Sequence, residues 1–382
     1  MRCRALTLLL AALATAAVVA SPASSGRPAS VLALAPPAPS YWPTAGWRTA
    51  SPAAEGMDPA ALDGLLSEIR SAKLPIDSVT VIRHGYVVLD SSFGKFASHT
   101  LGAPYAAGRL HTVQSVTKSV VSMLLGIALQ EKAASGITLK TTVVRLAAAL
   151  HYVPRHDDAR KRAMTIEDLL TMQSGIAWRE SGYPYTKGSG NDVVAMLETK
   201  SWTNYVIDRP MAAWPGTTFV YDTGTAHLVS GIVSILTKRP AAAFAAGRLF
   251  APLGIRHFSW LAAPEGVSAG GFGLALQPRD LAKLAFLYLH HGAWDGRQIV
   301  PAAWVEQSTT DHVADPRYEY GYLWWLDSAH GYAYMSGLYG QTAVVDPGKD
   351  LVAVITAHFP AAVDAGKIER SLLEKYILSA AR

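Results

Sequence analysis

Residues 115–132 read SVTKSVVSMLLGIALQEK, a serine-led turn running straight into an apolar helix. Val116, Val120, Val121, Leu124, Leu125, Ile127, Ala128 and Leu129 cover most of the helix circumference, so it is expected to be buried rather than amphipathic. Ser115 and Lys118 are three apart and share a face, which puts Lys118 Nζ within reach of Ser115 Oγ. A serine hydroxyl is a poor nucleophile until a neighbour takes its proton. A lysine can do so only when neutral, and apolar burial favours that form. The helix N-terminus adds amide groups and the positive end of a dipole, aimed at developing negative charge. For Ser115 by itself an ordinary helix start is the competing reading. A second S-x-x-K, Ser92-Phe93-Gly94-Lys95, follows a strand and opens no helix, so it reads as a turn.

Outward from this helix, Asp77–Leu89 (DSVTVIRHGYVVL) reads as two short strands turning at His84-Gly85. Near the other end come YAYMSG (332–337), GQTAVVD (340–346) and LVAVITA (351–357), joined by Leu338-Tyr339 and Pro347-Gly348 as consecutive antiparallel strands. Helices are expected between them: TIEDLLTM from Thr165, whose Thr165 and Asp168 have capping-box spacing, then 225–236 and 280–289, with a last one over 365–378. Strands at both ends and helices in the middle predict an α+β fold: one antiparallel sheet made from both termini, flanked by helices, with a mostly helical domain inserted. The boundaries are a sheet subdomain over about 47–118 and 330–382 and a helical subdomain over about 119–329.

The chain has 382 residues, 50% hydrophobic and only 16% charged, which excludes disorder for most of its length. The formal charge is +5, with no basic block interleaved with aromatics; the densest basic stretch, 155–162, also carries Asp157 and Asp158. A nucleic-acid partner is therefore not expected. Residues 1–20 (MRCRALTLLLAALATAAVVA) combine two arginines, an apolar run and small residues, the pattern of a secretory signal peptide. A retained anchor would need the ~20 apolar residues that span a bilayer, more than this run supplies, so no stable membrane insertion is expected after cleavage. Cleavage at Ala20 or Ala23 would remove Cys3, the one cysteine, and with it disulfides and thiolate chemistry. Residues 21–46, rich in Ala, Pro and Ser, read as a flexible tether. The expected location is periplasmic or secreted.

The company Ser115 keeps changes the weight of S-x-x-K. TIEDLLTMQSG from Thr165, Trp214-Pro215-Gly216-Thr217-Thr218-Phe219-Val220-Tyr221-Asp222-Thr223, and Met335-Ser336-Gly337-Leu338-Tyr339-Gly340-Gln341 follow in order, with Pro278–Ala282 and Tyr320–Trp325 between the last two. Together these resemble the serine β-lactamase and penicillin-binding protein superfamily, in its class C-like branch of esterases and 6-aminohexanoate-dimer hydrolases, from about Trp47 to the end. The resemblance implies a β-lactamase-like fold and an acyl-enzyme mechanism without a cofactor. It implies that Ser115 is the nucleophile, Lys118 its base partner and Tyr221 a proton relay, with the backbone N–H groups of Ser115 and Leu338 as the oxyanion hole. Two positions depart from the pattern. Thr223 stands where the family has asparagine, so amide contacts to substrate or lysine are expected to be lost. Met335 stands where it has the lysine that helps hold a β-lactam carboxylate. A small ester or amide is thus the expected substrate partner, ahead of a β-lactam or a cell-wall peptide. A non-catalytic penicillin-binding or wall-sensing module is the reading of another class.

Tyr183, Thr223, Ser336, Gly337 and Trp325 are the expected substrate contacts, with Tyr185 a further candidate. Neighbouring strand residues face opposite sides, so only one of Trp324 and Trp325 is expected in the cleft. Ser189-Gly190-Asn191 matches another branch's Ser-x-Asn motif, but sits in a Gly-rich loop. Gly266–Gly270 (GVSAG) matches a nucleophile elbow without the strand and helix an elbow needs, and reads as a flexible loop. No metal site is expected: there is no H-E-x-x-H, and His290-His291 falls at a helix end.

Overall fold

A computed structural model describes residues 29–93, 110–146 and 158–382. The expected signal peptide, the start of the expected tether, and Gly94 and Lys95 of the second S-x-x-K lie outside the described residues.

Six strands form the main sheet: β1 (Ile76–Arg83), β2 (Tyr86–Ser92), β3 (Trp325–Asp327), β4 (Tyr332–Gly337), β5 (Gln341–Asp346) and β6 (Leu351–Ala357). Their order is β2-β1-β6-β5-β4-β3, every pair antiparallel. The two chain ends meet at its centre, where Val79 pairs with Ile355 and Val81 with Ala353. All seven residues of β6 are buried because both faces of the sheet are covered. Val79, Val81, Ala353 and Ile355 face α1 (Pro59–Ser71) and the C-terminal helix α6 (Ala365–Leu372), which continues as a wider turn over Leu373–Leu378. Ile82, Val352, Val354, Ala343 and Met335 face the larger core. Alternation along the strands assigns each residue to one layer.

That larger core is built around α2 (Val116–Glu131), buried from Val116 to Ala128 as its all-round apolar surface predicts. Gly126 lets Trp304 lie against it; a Cβ there would sit 2.4 Å from the indole. Of three further helices, α4 (Thr223–Thr237) packs on it, α3 (Ile166–Leu170) packs on α4, and α5 (Pro278–Leu289) lies against the sheet. The capping box on α3 is present, with Thr165 N donating to Asp168 Oδ2 at 2.7 Å and Asp168 N to Thr165 Oγ1 at 3.3 Å. Among the described residues no single helix is long and apolar enough to cross a membrane.

Three expectations are corrected. The helical insert is narrower than 119–329, because α5 packs on the sheet and β3 is its edge strand. From Ala29 on, the expected tether is fastened to the body. Leu32 is fully buried, Ser30 Oγ meets Thr309 Oγ1 at 2.8 Å, Trp42 packs on Phe286 and Trp294, and Trp294 Nε1 donates to Thr44 Oγ1 at 2.7 Å. Composition signalled flexibility, but two widely spaced apolar anchors are enough to hold a proline-rich strap that has no ladder of its own. The GVSAG segment is likewise no flexible loop. Ser268 and Ala269 are buried, and a Cβ on Gly270 would lie 2.1 Å from the Ala226 carbonyl, so Gly270 serves close packing against α4.

Candidate active site

The chain enters α2 through Gln114, held at φ 48°, in the left-handed region that non-glycine residues rarely adopt. Ser115 follows at the N-cap position, yet its side chain caps nothing. The hydroxyl therefore does not do the ordinary work of a helix-start serine. Beside it runs the end of β4. A Cβ on Gly337 would sit 2.4 Å from the Val113 carbonyl, so glycine is what allows the strand to approach the serine turn this closely. Ser115, Ser336, Gly337 and Leu338 consequently border one cavity of about 840 Å³.

Lys118 is 2% exposed, one turn into α2. Its Nζ has three oxygen neighbours, each at 2.9 Å: Ser115 Oγ, Thr223 Oγ1 and the Gly271 carbonyl. The Tyr221 ring lies over it, 4.7 Å from Nζ to the centroid. Thr223 opens α4, capped by Asp222 Oδ1 accepting from Thr225 N at 3.0 Å. Burial, with the Glu180 charge second, pushes the Asp222 carboxyl well above the usual carboxylate range. The carbonyl comes from Gly271, the residue directly after the GVSAG segment; a Cβ on Gly271 would lie 2.5 Å from Thr223 Cγ2.

Ten of the thirty residues that line the cavity are aromatic. Trp325 stacks on Tyr221, with centroids 5.8 Å apart and planes 22° apart. Trp324 points the other way and stacks on Tyr288 in the core at 4.2 Å, so one tryptophan of the pair faces the cleft, as alternation requires. Tyr183 stands half out at the mouth, and Tyr185 lies deeper with its Oη donating to Glu180 Oε1 at 2.8 Å. Thr223 borders a recess of the same cleft, together with Ser115 and Glu180. The sequence-predicted site residues other than Lys118 thus border one cleft, and Lys118 reaches it through Ser115 Oγ.

The family's sequence profile matches residues 60–375. The chain belongs to the β-lactamase family. It is a serine hydrolase by that membership. Among curated proteins none matches significantly. The fold is shared with a protein assigned as a 6-aminohexanoate-dimer hydrolase from Bacillus anthracis (19% identity, TM-score 0.65, 89% of each chain covered). It is shared also with EstCE1, a hydrolase with promiscuous acyltransferase activity (16%, TM-score 0.65, 83% of this chain and 97% of that one). A penicillin-binding protein homologue from Caulobacter crescentus is similar at 15% identity, TM-score 0.64, over 84% of this chain and 96% of its own.

Set beside the β-lactamase family pattern, one expectation changes. The lysine contact expected to be lost with asparagine is kept, because the Thr223 hydroxyl accepts from Lys118 Nζ. Met335 places no charge at the cleft; it is fully buried in the larger core, on the face of β4 opposite Tyr334 and Ser336. Ser189-Gly190-Asn191 does structural work instead: Asn191 Oδ1 caps the helix Asp192–Leu197 through Val193 N at 2.9 Å, and Ser189 Oγ donates to Pro184 O at 2.6 Å. Two contributors escaped the sequence reading, Glu180 and the Gly271 carbonyl. Glu180 belongs to no spacing motif, and a carbonyl carries no residue signature.

Proposed function

We propose that this β-lactamase-family hydrolase is exported and cleaves a small ester or amide through an acyl-enzyme on Ser115. The observation that carries the reading is the 2.9 Å contact between Lys118 Nζ and a Ser115 hydroxyl released from capping. Ser115 Oγ attacks the substrate carbonyl carbon while its proton passes to neutral Lys118. The oxyanion forms against the N–H groups of Ser115 and Leu338, where the α2 dipole also favours negative charge. Collapse expels the alcohol or amine, which takes the proton back by way of Lys118 and Tyr221. Water then attacks the acyl carbonyl, gives its proton to the same groups, and releases the acid and Ser115.

Ester or amide is favoured over β-lactam by the aromatic wall and by Met335, which leaves no cation on β4 for a lactam carboxylate. Export is supported by the two arginines, apolar run and small residues of 1–20, which suit a periplasmic or secreted enzyme. The test is hydrolysis of p-nitrophenyl butyrate by the protein and by Ser115→Ala, with a chromogenic cephalosporin alongside. Ester turnover abolished by the substitution, with slow cephalosporin hydrolysis, is expected. Turnover that survives in Ser115→Ala overturns the nucleophile; cephalosporin turnover exceeding ester turnover moves the enzyme to the β-lactamases. A stable adduct without turnover would make it a binding module.

A further inference from the structure

Glu180 lies one hydroxyl away from the lysine, 4% exposed, and its two oxygens meet four donors. Oε2 accepts from Trp178 Nε1 at 2.7 Å and from the backbone N–H of Thr223 at 2.8 Å, two groups that can only donate. Oε1 accepts from Thr223 Oγ1 at 2.7 Å and Tyr185 Oη at 2.8 Å. Burial, with the Glu180 charge next, raises the Tyr185 phenol, which keeps that group a donor.

This fixes what Thr223 can offer. Its hydroxyl has one proton, and that proton is engaged by Glu180. Toward Lys118 Nζ, 2.9 Å away, it presents a lone pair. The Gly271 carbonyl, also at 2.9 Å, can only accept. Two of the three directions around Nζ are therefore N–H donations. In the neutral amine the remaining direction holds the lone pair, and it faces Ser115 Oγ.

We infer that Glu180 is a positioning residue that, by holding the Thr223 hydroxyl proton, turns the lone pair of neutral Lys118 onto the Ser115 hydroxyl. The inference rests on the acyl-enzyme reading above and adds to it a residue that never touches substrate. Glutamine at 180 would reverse the arrangement. Its carbonyl must stay where the two obligate donors point, so its NH₂ faces Thr223. The threonine then accepts from the amide and swings its own proton toward Nζ, where it competes with Ser115. The titratable groups that face Lys118 are Tyr221 through its ring, Asp222 and, through Thr223, Glu180. Burial raises the Asp222 carboxyl, with the Glu180 charge next.

The experiment measures kcat and KM for p-nitrophenyl butyrate against pH in the wild type, Glu180→Gln, Thr223→Val and the double variant. Misaiming a general base is expected to lower kcat in Glu180→Gln by roughly 10- to 100-fold, with KM little changed. The acid limb of the profile is expected to move to lower pH, since loss of the carboxylate disfavours the ammonium form, a change that general loosening would not produce. The double variant is expected to be no slower than Thr223→Val alone, because Glu180 acts through that hydroxyl. Wild-type kcat in Glu180→Gln, or losses that multiply in the double variant, would overturn the inference. Should Glu180→Gln fail to fold, Thr223→Val decides: kcat lost with KM kept supports it, and undiminished kcat refutes it. Ser115→Ala separates the two levels, since activity there sinks the acyl-enzyme reading, whereas a dead Ser115→Ala beside a normal Glu180→Gln sinks only this one.

Discussion

A single methyl group added to Gly337 is expected to disable the enzyme while leaving it folded. The Cβ of Gly337→Ala would stand 2.4 Å from the Val113 carbonyl oxygen, where ordinary contact begins at 3.4 Å. The strand and the serine turn must therefore separate by about 1 Å. The obstacle is backbone, so no side-chain rotation relieves it. Gln114 Cβ and Gln341 Cβ, each 3.1 Å away, close the other directions. The separation opens the gap between Ser115 N and Leu338 N, the two proposed oxyanion donors. A displacement of this size typically costs about 10²-fold in rate, and overpacking of this kind costs about 1–3 kcal/mol in stability. The assay is kcat/KM for p-nitrophenyl butyrate beside the thermal midpoint. A folded Gly337→Ala enzyme within a factor of a few of wild-type kcat/KM would refute both the close approach and the oxyanion assignment of Leu338.

Lys118→Ala is expected to lose acylation by about 10²- to 10⁴-fold with the fold intact by circular dichroism; near-normal acylation would remove the base. Burial pushes the Glu369 carboxyl up to about 8, so the folded protein holds a proton there that the unfolded chain releases near pH 4.5. That contribution to stability is full below about pH 4.5 and is lost as pH rises through about 8, with a slope of up to about 1.4 kcal/mol per unit. Glu369→Gln should flatten this part of the thermal-midpoint profile, and an unchanged profile would show that the carboxyl is ionised in the fold. Trp42→Ala should lower stability by about 2 kcal/mol or more through loss of its packing on Phe286 and Trp294. An unchanged midpoint would return the 29–46 segment to the status of a free tether.

What could be read in advance, and what could not, divides along physical lines. The helix of 116–131 was legible because an apolar residue on every side leaves no face for water. The C-terminal strands were legible from their apolar runs and the turn residues between them. Asp168 announced its cap by spacing alone. Trp324 and Trp325 could be assigned to opposite sides, because strand alternation needs no partner to be known. The strap over 29–46 was misread for the converse reason: Trp42 is an anchor only because Phe286 and Trp294 are folded beneath it, and Leu32 only because the folded core covers it.

By itself the sequence indicated an α+β fold class and a helix face shared by Ser115 and Lys118, both from residue type and short-range periodicity, while the weight given to that pair came from the resemblance of the surrounding motifs to the β-lactamase superfamily. Tertiary structure alone placed the Thr223 hydroxyl and the Gly271 carbonyl, which follows the elbow-like GVSAG segment, against Lys118 Nζ, and Glu180 against the Thr223 hydroxyl. Hydrogen-bond direction depends on which donors and acceptors distant segments bring within 3 Å of one another. No spacing along the chain encodes that.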